Sequence, residues 1–276
     1  MKRERNTSAA APASPFERVV KRVAGIGVIV SLLLALFQVA KLVHDAADRM
    51  ARINALGRVA HFQSNRGDAG MAWGSLEQAL GMADAAGPLE SSLWAVQRHR
   101  RALQAQQEDV AMQWLRDGRP GPGKPFSDIV DRASPVLEQA AVGATGQRLA
   151  DILAHLGWAR FLKGRDGTST VDPARDYANA VAADAHNAYA HAFWGHWILW
   201  QQGDLAAASR QFADALTDHR AASGSVRAYV RRLQIAALRN ANAAQADAAL
   251  RALIGTMRAD GEPIDPDTLE GLQSTH

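Results

Sequence analysis

Two stretches of the chain, "ILAHLGWARFLKG" at 152–164 and "HAFWGHWILWQQG" at 191–203, repeat one another. Laid tryptophan on tryptophan, Trp158 falls on Trp197, Ala159 on Ile198, Phe161 on Trp200 and Gly164 on Gly203. Each is followed by a second segment of helical periodicity, "RDYANAV" and "RQFADAL". There Tyr177 falls on Phe212 and Ala180 on Ala215, a slightly shorter offset. The difference lies in the intervening loop, "GRDGTSTVDP" in the first unit and "GDL" in the second. A helix, a turn and a helix recurring at such a period form the unit of an α-solenoid. One hairpin cannot bury its apolar face alone, so hairpins must stack and exclude water together.

The stretch from Tyr189 to Arg220 resembles a tetratricopeptide repeat. Gly203 and Asp204 stand at its turn, Ala208 and Ala215 at small positions of the second helix, and Phe212 at its aromatic position. The match departs at Gly195 and His196, where that family usually has leucine and glycine, and at Arg220, where proline is usual. Leu156 and Gly157 restore the leucine–glycine pair in the preceding unit, and "VAHFQSNRGDAGMAWGSLEQAL" is a weaker third match through Gly67, Asp68, Ala72 and Ala79. The resemblance implies an all-α fold of antiparallel hairpins stacked as a solenoid over 44–260, with 221–258 a degenerate last pair or cap. It also implies that Trp158, Phe161, Phe193, Trp197 and Trp200 face one concave groove, where they are candidate binding residues for a partner's peptide or helix. Aromatic anchors dominate the energy of such contacts. The alternative is that the chain covers these rings itself, with the long helix of 89–117 or with its tail.

Composition agrees with helix. Alanine is abundant and only 6% of residues are aromatic, a mixture that favours helix over strand. No stretch alternates as a half-buried strand does. Periodicity and Gly/Pro breaks predict a helix running to about Asn65, a second over 69–87 and a long one from Pro88. Further helices are expected at 127–142, 145–163, 173–184, 188–202, 204–219, 225–239 and 242–258, with a tail over 261–276. The absence of cysteine excludes disulfides, thiolate nucleophiles and cysteine metal sites.

Between Arg22 and Lys41 lies "VAGIGVIVSLLLALFQVA", a run without formal charge. As a helix it spans about 27 Å, close to the hydrocarbon thickness of a bilayer. A cleaved signal peptide is disfavoured, because Gln38 stands where a cleavage site ending at Ala40 needs a small residue. A transmembrane helix is therefore expected over 19–43, preceded by a disordered basic tail over 1–18. Six Lys/Arg precede the apolar run, and Lys41, Arg49 and Arg52 follow it closely. That bias puts the N-terminus in the cytoplasm and the repeat domain outside it. The arginine- and alanine-rich composition suggests a bacterial inner membrane, with the domain in the periplasm. Gly27, Ser31 and Ala35, one turn apart, form a small-residue row that lets two such helices approach, and so a possible homo-oligomer.

Little else carries chemistry. Residues 1–22 hold a charge balance of +4 within a chain of net +3, leaving −1 for the rest. A nucleic-acid partner is not expected from such a domain. "GRPGPGK" at 118–124 mimics a phosphate loop, but Pro120 and Pro122 remove amide donors and Pro125 replaces the Ser/Thr. His186, His191 and His196 recur at a spacing that sets successive ones about 140° apart on a helix, so they share no face. No metal ligand, cofactor or catalytic residue is expected. Arg227 and Arg231 share a face where an acidic partner docks or water solvates them. The expected function is a membrane-anchored scaffold or adaptor, not an enzyme, working with protein partners in a membrane complex. A sensor subunit binding a small apolar or peptidic ligand is the second reading, and a histidine-dependent metalloenzyme the remote third.

Overall fold

The computed structural model describes residues 15–85, 94–120, 123–222, 224–241 and 245–264. Among them are ten α-helices, one short 3₁₀ turn at His219–Ala222, and no strand. The helices are α1 Pro15–Asn65, α2 Ala69–Asp84, α3 Trp94–Asp117, α4 Ser127–Ala141 and α5 Gly146–Arg165. They continue with α6 Ala174–Ala183, α7 Ala188–Gln202, α8 Leu205–Ala215, α9 Gly224–Arg239 and α10 Ala246–Ala259.

Local chemistry sets the boundaries. The Asn187 side chain accepts the Ala190 amide and opens α7, and Gly203, in the left-handed region at φ 67°, closes it onto the Leu199 carbonyl. Asp204 then accepts the Ala207 amide and opens α8. Such caps satisfy the amide and carbonyl groups that helix ends leave bare. The helix expected over 204–219 stops at Ala215, because Asp218 accepts the Arg220 amide and starts the 3₁₀ turn instead.

The first helix is 51 residues long, about 77 Å at the usual rise per residue. It begins at Pro15, inside the stretch expected to be a tail; proline suits a first helical turn. Residues 1–14 of that tail lie outside the described residues, as do 265–276 of the C-terminal one. α1 is the one helix among the described residues long and apolar enough to cross a membrane, with a window of mean hydropathy 1.8 that the other described residues do not cover. Ser31 and Ala35 lie in this exposed stretch, and Gly27 on the same helix just before it. Past it, Ile53 and Ala60 turn into the core against α2.

The odd-numbered helices lie side by side: α1 on α3, α3 on α5, α5 on α7 and α7 on α9. The even-numbered ones form a second layer, each packed against the odd helices before and after it in the chain, except α10, which packs on α9. This arrangement is compatible with a helical repeat solenoid. Two glycines set the closest approaches between layers. A Cβ on Gly157 would stand 2.6 Å from the Tyr177 ring, and one on Gly195 would meet the Ala208 carbonyl at 3.1 Å and the Phe212 ring at 3.2 Å. Gly195 therefore holds the close-packed place that the sequence comparison gave to His196. In α5 and α7, then, Gly157 corresponds to Gly195 and Trp158 to His196, one position short of the tryptophan-on-tryptophan match.

Candidate functional site

That one-position slip turns the aligned side chains by about 100° and redistributes the aromatic stripe. Trp158 is sandwiched between Phe161 at 4.9 Å and Phe193 at 4.7 Å, with His196 edge-on at 5.2 Å. Its indole nitrogen donates to the Leu115 carbonyl at 3.1 Å, joining α3, α5 and α7. Trp158, Phe161 and Phe193 are buried, Trp197 is half-buried, and Trp200 is 46% exposed. The five rings do not share one hollow. Phe193 lies wholly inside the core. Phe161, Trp197 and Trp200 border a hollow of about 520 Å³ beside the loop between α5 and α6. Trp158 and Trp200, with Tyr229, border a different one of about 710 Å³, spanning the end of α3 and the inner faces of α5, α7 and α9.

Sequence reading missed what surrounds this second hollow. Arg116 and Arg119 reach it from the end of α3, Arg165 from the end of α5 and Arg232 from α9. Arg116 stacks over the Tyr189 ring at 4.9 Å and the Tyr229 ring at 5.8 Å, and Arg165 over Phe126 at 4.4 Å. The available signal was the basic residue at each helix C-terminus, "WLRDGR" and "FLKGR", where the helix dipole favours a cation. The arginines that sequence singled out are engaged elsewhere. Arg227 and Arg231 both hold Glu262, at 2.7 and 3.0 Å, so their shared face is neither free for a partner nor merely solvated. That contact also ties the start of the expected tail to α9.

The histidines part company. His186 is exposed beside Thr217, His191 bridges Gln211 and the Ala185 carbonyl, and His196 stands in the wall of the arginine hollow. Among the described residues no group of three His, Asp or Glu side chains could hold a metal. His155 is fully buried. Its Nδ1 lies 2.6 Å from the Asp151 carbonyl, which assigns the proton there, and its Nε2 faces Arg116 at 3.4 Å. Burial, then the charges of Arg116, Arg148 and Arg220, hold its pKa well below the usual range against the Asp151 hydrogen bond. Burial likewise lowers His196 to about 4, with Arg165 adding to the effect and the Leu233 carbonyl opposing it.

Both histidines are therefore neutral in the fold and charged in the acid-unfolded chain. A lowered native pKa means that the unfolded state binds more protons below about pH 6.5. Stability should be level above pH 7 and fall as the pH drops from about 6.5 towards 4. For His196 alone the loss is on the order of 3 kcal/mol. Melting temperatures across that range check this, and His196→Gln should flatten part of the slope.

An ion-pair knot fixes the α6–α7 junction. Arg220 reaches both Asp151 oxygens through Nη1, at 3.1 and 2.9 Å, and Asp218 Oδ2 through Nη2 at 2.7 Å. Asp218 Oδ2 also accepts the Ala188 amide at 2.9 Å, and Asn187 donates to Asp151 at 2.7 Å. Burial alone would raise the Asp218 carboxyl, but the bonds from Arg220 and from the two amides hold it below its ordinary value. No family model, curated protein or solved structure shows a significant match to the chain.

Proposed function

We propose that the chain is a membrane-anchored scaffold or adaptor. Its helical hairpins act as a tetratricopeptide-like solenoid whose inner layer receives a segment of a partner protein. The observation that carries this reading is the 710 Å³ hollow to which four odd-numbered helices contribute side chains at once. Concave sites with an apolar floor and a few placed polar groups are the usual form of a binding site. The exposed apolar stretch of α1 serves as the anchor, and the excess of Lys/Arg before it directs the N-terminus to the cytoplasm and the solenoid to the far side. On this reading the membrane is a bacterial inner membrane and the work is recognition rather than catalysis.

The test compares the wild type with Trp200→Glu after mild detergent extraction. Trp200 is exposed, so the variant should melt within a few degrees of the wild type, while copurification of the partner is lost. Equal recovery of the same partner by both proteins would refute the groove. A retained small molecule in place of a protein would favour the sensor reading. A reporter fused after His276 checks the orientation, and a cytoplasmic signal would overturn it.

A further inference from the structure

From the charge of that same hollow we infer that its occupant is an acidic peptide segment, bound extended across α3, α5, α7 and α9 with its carboxylates on Arg119, Arg165 and Arg232. This rests on the groove reading above and gives it a chemistry. Among the residues that line the hollow with these four arginines there is one carboxylate, Asp117, which lies 4.0 Å from Arg116. Arg119, Arg165 and Arg232 have no carboxylate at ion-pair distance among the described residues; Arg119 donates only to the carbonyls of Asp117 and Gly118. Several arginines elsewhere do pair across helices: Arg148 with Glu108 and Asp109, Arg132 with Glu77, Arg160 with Asp176. Partial desolvation pulls Arg165 below its ordinary value; the neighbouring Asp166 opposes this more strongly than the Arg119 charge adds to it. Three arginines without an ion pair among the described residues are thus gathered on one hollow. Guanidinium groups present planar forks that match carboxylates.

Aromatic rings line the hollow beside them: Trp158, His196, Trp200 and Tyr229. The wall histidine is also unsatisfied: His196 is buried and its Nδ1 has no hydrogen-bond partner. An occupant therefore needs apolar side chains on one side and carboxylates on the other, which an extended strand supplies by alternation. Four helices packed about 8–10 Å apart give a track of roughly 24–30 Å, the length of about eight extended residues. Nucleic acid fits less well, because the charge balance beyond residue 22 is −1.

The full chain, held in nanodiscs of neutral lipid, is titrated into a fluorescein-labelled peptide of alternating glutamate and leucine, followed by anisotropy. Peptides with glutamine or lysine in place of glutamate serve as comparisons. The glutamate peptide should bind at least about tenfold tighter than the glutamine one and weaken with added salt, as screened charge pairs do. The double variant Arg165→Glu with Arg232→Glu changes two exposed side chains and should keep the wild-type circular dichroism. It should lose the glutamate peptide and gain the lysine one. Equal binding of the glutamine peptide, lost in Trp200→Glu, would overturn the acidic partner and leave the groove standing. Binding of no peptide, or of vesicles containing phosphatidylglycerol alone, would overturn the proposal. So would glutamate-peptide binding seen only after removal of residues 265–276, since Asp265, Asp267 and Glu270 would then be the native occupant.

Discussion

Replacing Arg220 with alanine should lower stability by about 3–5 kcal/mol, the usual cost of removing one member of a buried ion pair. Its partner Asp218 has a side chain only 2% exposed, and Asp151 one only 15% exposed. Without the guanidinium, Asp218 keeps its amide hydrogen bonds and only the exposed His219 ring, 3.3 Å away, as a neighbour able to carry positive charge, and Asp151 keeps only the bond from Asn187 among those drawn above. The knot joins α5 to the α6–α7 junction and the 3₁₀ turn, so its loss should loosen the packing of two neighbouring hairpins. A melting-temperature drop of roughly 10 °C is expected for a domain of this size. Arg148→Ala, which breaks pairs reaching more exposed carboxylates, should cost less than about 1 kcal/mol. Thermal melts of the two variants by circular dichroism check the contrast, and similar losses in both would refute the burial argument.

Trp158→Ala should be similarly damaging, by about 3–5 kcal/mol. The indole fills the space between Phe161 and Phe193 and donates to Leu115, so truncation leaves a cavity, breaks two stacked contacts and orphans a carbonyl on α3. Trp158→Phe should recover part of the loss by restoring one aromatic face. Trp200→Ala, on an exposed ring 6.0 Å from Phe161, should cost under about 1 kcal/mol. This pair separates the wall of the hollow from its opening. A mild Trp158→Ala would mean that the ring is an exposed binding surface after all.

The helices were legible because their ends are written in local chemistry. Ala188–Gln202 has the expected bounds, since Asn187, Gly203 and Asp204 are strong cap and turn residues. The course of α1 to Asn65 followed from the break at "NRGD", where Gly67 takes φ 84°. The disposition of the aromatic stripe was not legible. Identical residues suggested that Trp158 and Trp197 hold equivalent places, but packing register follows the residue that lets the other layer approach. Gly157 and Gly195 do that, and their equivalence sends Trp197 away from Trp158 and puts His196 beside it. The arginine hollow was only hinted at, by the basic residues at the helix ends, for another reason. Its members come from the ends of α3 and α5 and the middle of α9, far apart in the chain, and only the side-by-side order of the odd helices brings them together. The engagement of Arg227 and Arg231 by Glu262 was hidden because residues after 260 carry no helical pattern.

That side-by-side order can be tested directly, because the chain has no cysteine of its own. A double variant, Arg119→Cys with Arg232→Cys, places two thiols on one hollow although they lie far apart in the sequence. Treatment of dilute protein with a short bifunctional thiol reagent should link α3 to α9 within single molecules, as a tryptic digest would reveal. Links only between molecules, or none, would contradict the layered arrangement and the groove with it.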